Sequence, residues 1–128
     1  MGPRCATGRA AWRFILLAGL LAGLPPAAGH AQRVIRDTEA AAHVGQTATV
    51  EGVVANVFTS RAGNTFLNFG RPYPRQSFTA VVFRSAADRF PDLHPLEGKR
   101  VRVTGVITLY RGRPEIILER PDQLKAAP

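Results

Sequence analysis

Five arginines, three aromatic rings and one carboxamide fall in a few short stretches of this 128-residue chain. Phe66 and Asn68 stand two apart in Thr65-Phe-Leu-Asn-Phe-Gly70. Arg71 and Arg75 bracket Pro72-Tyr73-Pro74. Arg61 occupies Ser60-Arg-Ala-Gly63, and Tyr110, Arg111 and Arg113 share one tight turn about Gly112. Aromatic faces stack on planar groups, and a guanidinium both grips phosphate through two parallel bonds and stacks, which a lysine ammonium cannot do. These residue types suit holding an extended, backbone-charged ligand. The alternative for Arg111 and Arg113 is an exposed hairpin tip, where charge is the default, and Arg100 and Arg102 read as a solvated strand face.

Bond-making chemistry has no comparable inventory. His43 and His94 lie far apart, with no cysteine or second histidine at metal-ligand spacing. The serines sit in no nucleophile elbow, and no glycine-rich phosphate loop or other cofactor motif occurs. Glu115 and Glu119 share a strand face but are separated by about 13 Å. Glu115, within Pro114-Glu-Ile116, is expected to pair with a neighbouring arginine. The expectation is a binding protein with no enzymatic activity, metal or cofactor.

Residues 1–31 read as a signal peptide. Arg4, Arg9 and Arg13 form a basic leader, residues 14–24 are an unbroken apolar run, Pro25-Pro26 breaks it, and Gly29-His30-Ala31 offers a small-residue cleavage pattern before Gln32. Eleven apolar residues cover only about half a bilayer as a helix, so no permanent span is expected; the alternative is a retained signal anchor. Residues 32–128 then form a single domain, periplasmic or secreted. Cys5, the chain's only cysteine, is removed with the leader, which leaves no disulfide or thiol chemistry. Losing three arginines takes Lys+Arg from 17 to 14 against 9 Asp+Glu, a net charge of about +5 that favours anionic partners.

The periodicity that must position these groups is β. Residues 37–44 predict a short helix capped by Asp37 or Thr38 and closed by Gly45. Residues 47–58 predict one long strand, bulged or bent at Gly52. Residues 64–69 and 78–83 follow as strands two and three, and residues 85–90 as a short helical connection. In strand four Val101, Val103, Ile107 and Leu109 share one face, with Arg100, Arg102, Thr104 and Thr108 on the other. A tight hairpin at residues 110–113 leads into strand five at 115–119. Five short strands with a bent first strand predict an all-β closed barrel, because closure removes exposed edges.

The segments His43-Val-Gly-Gln-Thr-Ala-Thr-Val-Glu-Gly-Val-Val54, Thr65-Phe-Leu-Asn-Phe-Gly70, Phe78-Thr-Ala-Val-Val-Phe83, Leu96-Glu-Gly-Lys-Arg-Val-Arg-Val-Thr-Gly105 and Tyr110-Arg-Gly-Arg-Pro-Glu-Ile-Ile-Leu118 resemble those of small exported bacterial OB-fold proteins labelled nucleic-acid-binding. The resemblance covers nearly all of residues 32–128. It implies a five-stranded OB barrel with a helix between strands three and four and a short N-terminal helix. It also implies a ligand lying across strands two and three between the 1–2 and 4–5 loops. Within that plan strand alternation puts Leu67 and Phe69 in the core and turns Phe66 and Asn68 outward, and a slip of one residue would make Phe66 core instead. Phe66 with Asn68 resembles the Phe-x-Asp strand of anticodon-binding OB domains, with an amide in place of the acid. The implied site is Phe66, Asn68, Arg61, Arg71, Tyr73, Arg75, Tyr110, Arg111 and Arg113, and the implied partner is single-stranded DNA or RNA. The alternatives are an anionic envelope glycan, a lipid head group or an acidic protein in the same groove, and a structural module that dimerises through an apolar face.

Overall fold

A computed structural model of the protein describes residues 33–128; the expected signal peptide at residues 1–31 lies outside them. Eight strands follow in chain order: β1 (Val34–Arg36), β2 (Thr47–Thr59), β3 (Thr65–Phe69), β4 (Phe78–Val82), β5 (Arg100–Val106), β6 (Thr108–Tyr110), β7 (Arg113–Ile117) and β8 (Leu124–Ala126). They pair in the order β6-β7-β4-β3-β2-β5-β8, with β1 alongside β2. The β1–β2 and β4–β7 pairs are parallel and the rest antiparallel.

The expected all-β class therefore holds, while the closed five-stranded barrel does not. The sheet has eight strands, seven of them on one path whose ends, β6 and β8, do not pair. Strand four of the sequence pattern is two strands, β5 and β6, parted by Ile107. Both helices are short 3₁₀ segments, Asp37–His43 and Arg84–Arg89.

Thirteen-residue β2 organises the sheet. Its first half, Thr47 to Val53, pairs with β5, and its second half, from Val54 to Thr59, pairs with β3. The register slips between Val54 and Asn56, so the bulge falls at Ala55 and not at Gly52. Gly52 has a different task. A Cβ there would lie 2.8 Å from Asp37 Oδ1 and 3.0 Å from the Phe69 ring. Asp37 is no helix cap; it reaches over Gly52 to accept a hydrogen bond from the Ser77 hydroxyl. The first turn of that 3₁₀ segment is held instead by the Arg36 amide donating to Glu39 Oε1 at 2.8 Å.

Strict alternation fills the interior. Val50, Val54, Leu67, Phe69, Phe78, Ala80, Val103 and Ile116 are fully buried, and Phe69 and Phe78 meet edge to face at 5.2 Å. Leu109, expected with this set, is exposed at the hairpin tip, beyond the reach of the core.

Gly52→Ala should destabilise the protein by roughly 1–3 kcal/mol, since the methyl group would have to displace both Asp37 and the buried Phe69 ring. Thermal melting of the variant measures this; a midpoint equal to wild type would contradict the tight packing at Gly52.

Candidate functional site

Beyond the bulge, the pairing registers lay two rows of side chains across the face opposite the core. Asn56 faces Asn68, Asn68 faces Thr79, Thr79 lies beside Glu115, and Glu115 faces Thr108. One alternation step along, Phe58 faces Phe66, Phe66 faces Val81, and Val81 lies beside Ile117. A polar row over five strands thus runs parallel to an apolar row over four, as the two-residue period of paired strands requires.

Hydrogen bonds run along the polar row in one direction. Gln76 Nε2 donates to Thr79 Oγ1 at 3.2 Å, the Thr79 hydroxyl donates to Asn68 Oδ1 at 3.4 Å, and Asn68 Nδ2 donates to Asn56 Oδ1 at 3.1 Å. Two acceptors at the Gln76–Glu115 end are left over. Gln76, only 7% exposed, has a buried Oε1 with no partner. The Glu115 carboxylate enters no hydrogen bond or ion pair among the described residues, so the expected arginine partner is absent. Burial pushes its carboxyl pKa above the ordinary glutamate value, because an uncompensated charge is poorly solvated there.

Asn56, Asn68, Thr79 and Glu115 of the polar row and Phe58 and Phe66 of the apolar row line a cleft of about 620 Å³. Phe58 and Phe66 form one wall, their rings nearly parallel at 24° with centroids 6.4 Å apart. Phe58 is 54% exposed, and Tyr73 and Tyr110 are exposed at the rim. The β6–β7 hairpin turns through Arg111 and Gly112, both at positive φ (52° and 78°), as a two-residue turn with the twist of the sheet requires. That turn lays the Arg111 guanidinium over the Tyr110 ring at 5.2 Å. Arg113 donates to the Gln76 carbonyl at 2.8 Å, tying the hairpin to the 70–77 loop.

Of the nine residues expected at the site, Phe66, Asn68, Tyr73, Tyr110, Arg111 and Arg113 line this cleft. Arg61, Arg71 and Arg75 are exposed and do not line it. Phe66 points to the cleft and is half-buried, while Leu67 and Phe69 are core. Asn68 also faces the cleft, but at 3% exposure with both ends of its amide engaged it braces the floor and is not free to read a ligand. Sequence reasoning missed Phe58, Gln76 and Glu115 as lining. Phe58 was within reach: Thr59 and Thr65 close the hairpin, so one step inward puts Phe58 opposite Phe66. Gln76 and Glu115 carried no comparable signal, because their importance arises from partners they lack.

Elsewhere, Asp92 and His94 pair at 3.0 Å on the surface beside a smaller cleft, and the hydrogen bond from His94 holds the Asp92 carboxyl below its usual value. Among the described residues no three His, Cys, Asp or Glu side chains gather as a metal ion would need, and no helix is long and apolar enough to cross a membrane.

No protein-family model and no curated protein matches the chain. Among solved structures it is similar to a putative aspartyl-tRNA synthetase from Leishmania major Friedlin (11% identity, TM-score 0.48), over 75% of this chain and 21% of that one. It is also similar to the second OB-fold domain of replication protein A from Methanococcus maripaludis (13% identity, TM-score 0.38), over 65% of this chain and 85% of that one. The chain thus spans about a fifth of the synthetase. Likenesses this loose assign neither ligand nor activity.

The free carboxylate has a consequence for stability. Glu115 takes up a proton more readily in the folded protein than in the unfolded chain, so its charged form costs stability at neutral pH. Glu115→Gln should therefore raise the thermal midpoint at pH 7. The gain should fade as the pH falls through the range where the wild-type carboxyl is protonated. A lowered midpoint at pH 7 would mean that the carboxylate has a partner after all.

Proposed function

We propose that this protein is an exported, non-enzymatic OB-type module that binds single-stranded nucleic acid in the cleft between Phe58–Phe66 and the β6–β7 hairpin. In this reading β5 and β6 are one OB strand bent at Ile107, with β1 and β8 added at the edges. The parallel β4–β7 pair and the sharing of β2 between β3 and β5 support it. So does the close approach of β5 to β7, where a Cβ on Gly105 would come within 2.7 Å of Ile116. The basic leader and short apolar run support export.

The observation that carries the ligand assignment is the arrangement of the walls: two stacked phenylalanines on one side, Tyr110 under Arg111 and Arg113 on the other. Aromatic surfaces take the faces of unpaired bases and arginines take the phosphates between them, a combination indifferent to most of the base sequence. A purely anionic glycan or acidic peptide would bring its charge against Glu115 on the floor, whereas a base offers that floor a neutral edge.

Phe58→Ala should weaken binding to a short single strand by about 1–3 kcal/mol, and because Phe58 is exposed the variant should stay folded. The logarithm of the affinity should fall with the logarithm of salt with a slope of about −2 to −3, for three or four phosphates contacted. Fluorescence polarisation with labelled DNA, RNA and anionic glycan strands measures both. No binding to any nucleic-acid strand at about 50 mM salt, where such contacts are strong, would contradict the proposal, and binding to the glycan alone would replace it.

A further inference from the structure

The Gln76 end of the hydrogen-bond chain, together with Glu115, is built to receive hydrogens. Gln76 Oε1 is buried without a donor, and the Gln76 amide is oriented by its own bond to Thr79, so the oxygen is the end left free. Glu115 sits beside Thr79 on the neighbouring strand and brings two more acceptor oxygens without a partner. Both residues line the same cleft. An unmet buried acceptor is costly, and a ligand that supplies the missing donor recovers that cost, whereas one bearing acceptors adds to it.

Resting on the nucleic-acid reading above, we propose that the cleft prefers guanine, the base whose pairing edge carries adjacent N–H donors, at the position over Glu115. The guanine N1–H and 2-amino group match the two oxygens of a carboxylate side by side, with a further hydrogen available to Gln76 Oε1. Uracil and thymine offer a single ring N–H between two carbonyl oxygens, which would meet the acceptors of the floor. Cytosine and adenine each offer one amino group beside an acceptor nitrogen. The aromatic wall accepts any base face, so the choice among bases falls to the floor. The arginines stay at the rim, where phosphate is.

The test uses thymidine strands of about nine nucleotides, within the span of a single OB-type module, each with one central dG, dA, dC or deoxyinosine. A single guanine avoids self-assembly of G-rich strands. The dG strand should bind roughly tenfold tighter than the all-thymidine strand. Deoxyinosine, which keeps N1–H but lacks the 2-amino group, should lose part of that advantage. In Glu115→Gln the ratio of the two dissociation constants, taken within the variant, should shrink to about twofold or less. Equal binding of all strands, or an unchanged ratio in Glu115→Gln, overturns the guanine preference and leaves the nucleic-acid reading standing. No binding to any strand overturns both.

Discussion

β2 satisfies two pairing registers at once, one with β5 and one with β3, and the slip at Ala55 reconciles them. A strand that paired straight through would continue one flat sheet. With the slip, the second half leaves β5 and runs with β3, and the parity of every residue after it is reset. That is why Val57 joins the buried set while Asn56 and Phe58 turn to the other face. The positions of Asn68, Phe66, Thr79 and Glu115 follow from theirs through the remaining ladders. Asp37 guards the same region, since the space at Gly52 lets it cross β2 and hold Ser77 at the base of the 70–77 loop.

The two faces of the sheet are settled by different physics. On the core face, apolar side chains are fully buried and every position is spoken for. On the cleft face, polar groups are nearly as buried but are satisfied by one another in a directed chain, Gln76 to Thr79 to Asn68 to Asn56. Such a chain has two ends. At one end lies Asn56; at the other, Gln76 Oε1 and the Glu115 carboxylate remain open. Buried polar groups without partners weaken a fold, and sites that meet ligands are where such deficits collect. Opposite signs are kept apart within the cleft, with Arg111 and Arg113 at the hairpin and the carboxylate on the floor.

Much of this was legible from residues alone, and the exceptions have physical causes. The alternation Thr65-Phe-Leu-Asn-Phe69 decided which side chains are core, because the opposite choice would bury Asn68 in apolar surroundings and expose Leu67 and Phe69. The Arg111-Gly112 turn was legible because few sequences close a two-residue hairpin. β1 and β8 were not: three residues such as Val34-Ile-Arg36 or Leu124-Lys-Ala126 have no period to detect, and their strand state comes from the backbone bonds of their neighbours. Leu109 misled because its apolar pattern runs on past Ile107, whereas β5 ends there and the core with it. Asp37 looked like a cap by its place in the chain, but its carboxylate is used across the sheet. The role of Glu115 depends on what does not face it, which no local pattern encodes.

On the reading proposed above, the cleft face, and not another surface, receives a single strand. Amide chemical shifts recorded while the protein is titrated with a short thymidine strand test it directly. Saturating shifts are expected at Phe58, Phe66, Thr79 and Glu115 and in the Tyr110–Arg113 hairpin, with the β5–β8 edge unmoved. Saturating shifts centred instead on β5 and β8 or around Asp92 and His94, with the cleft residues unchanged, would contradict it.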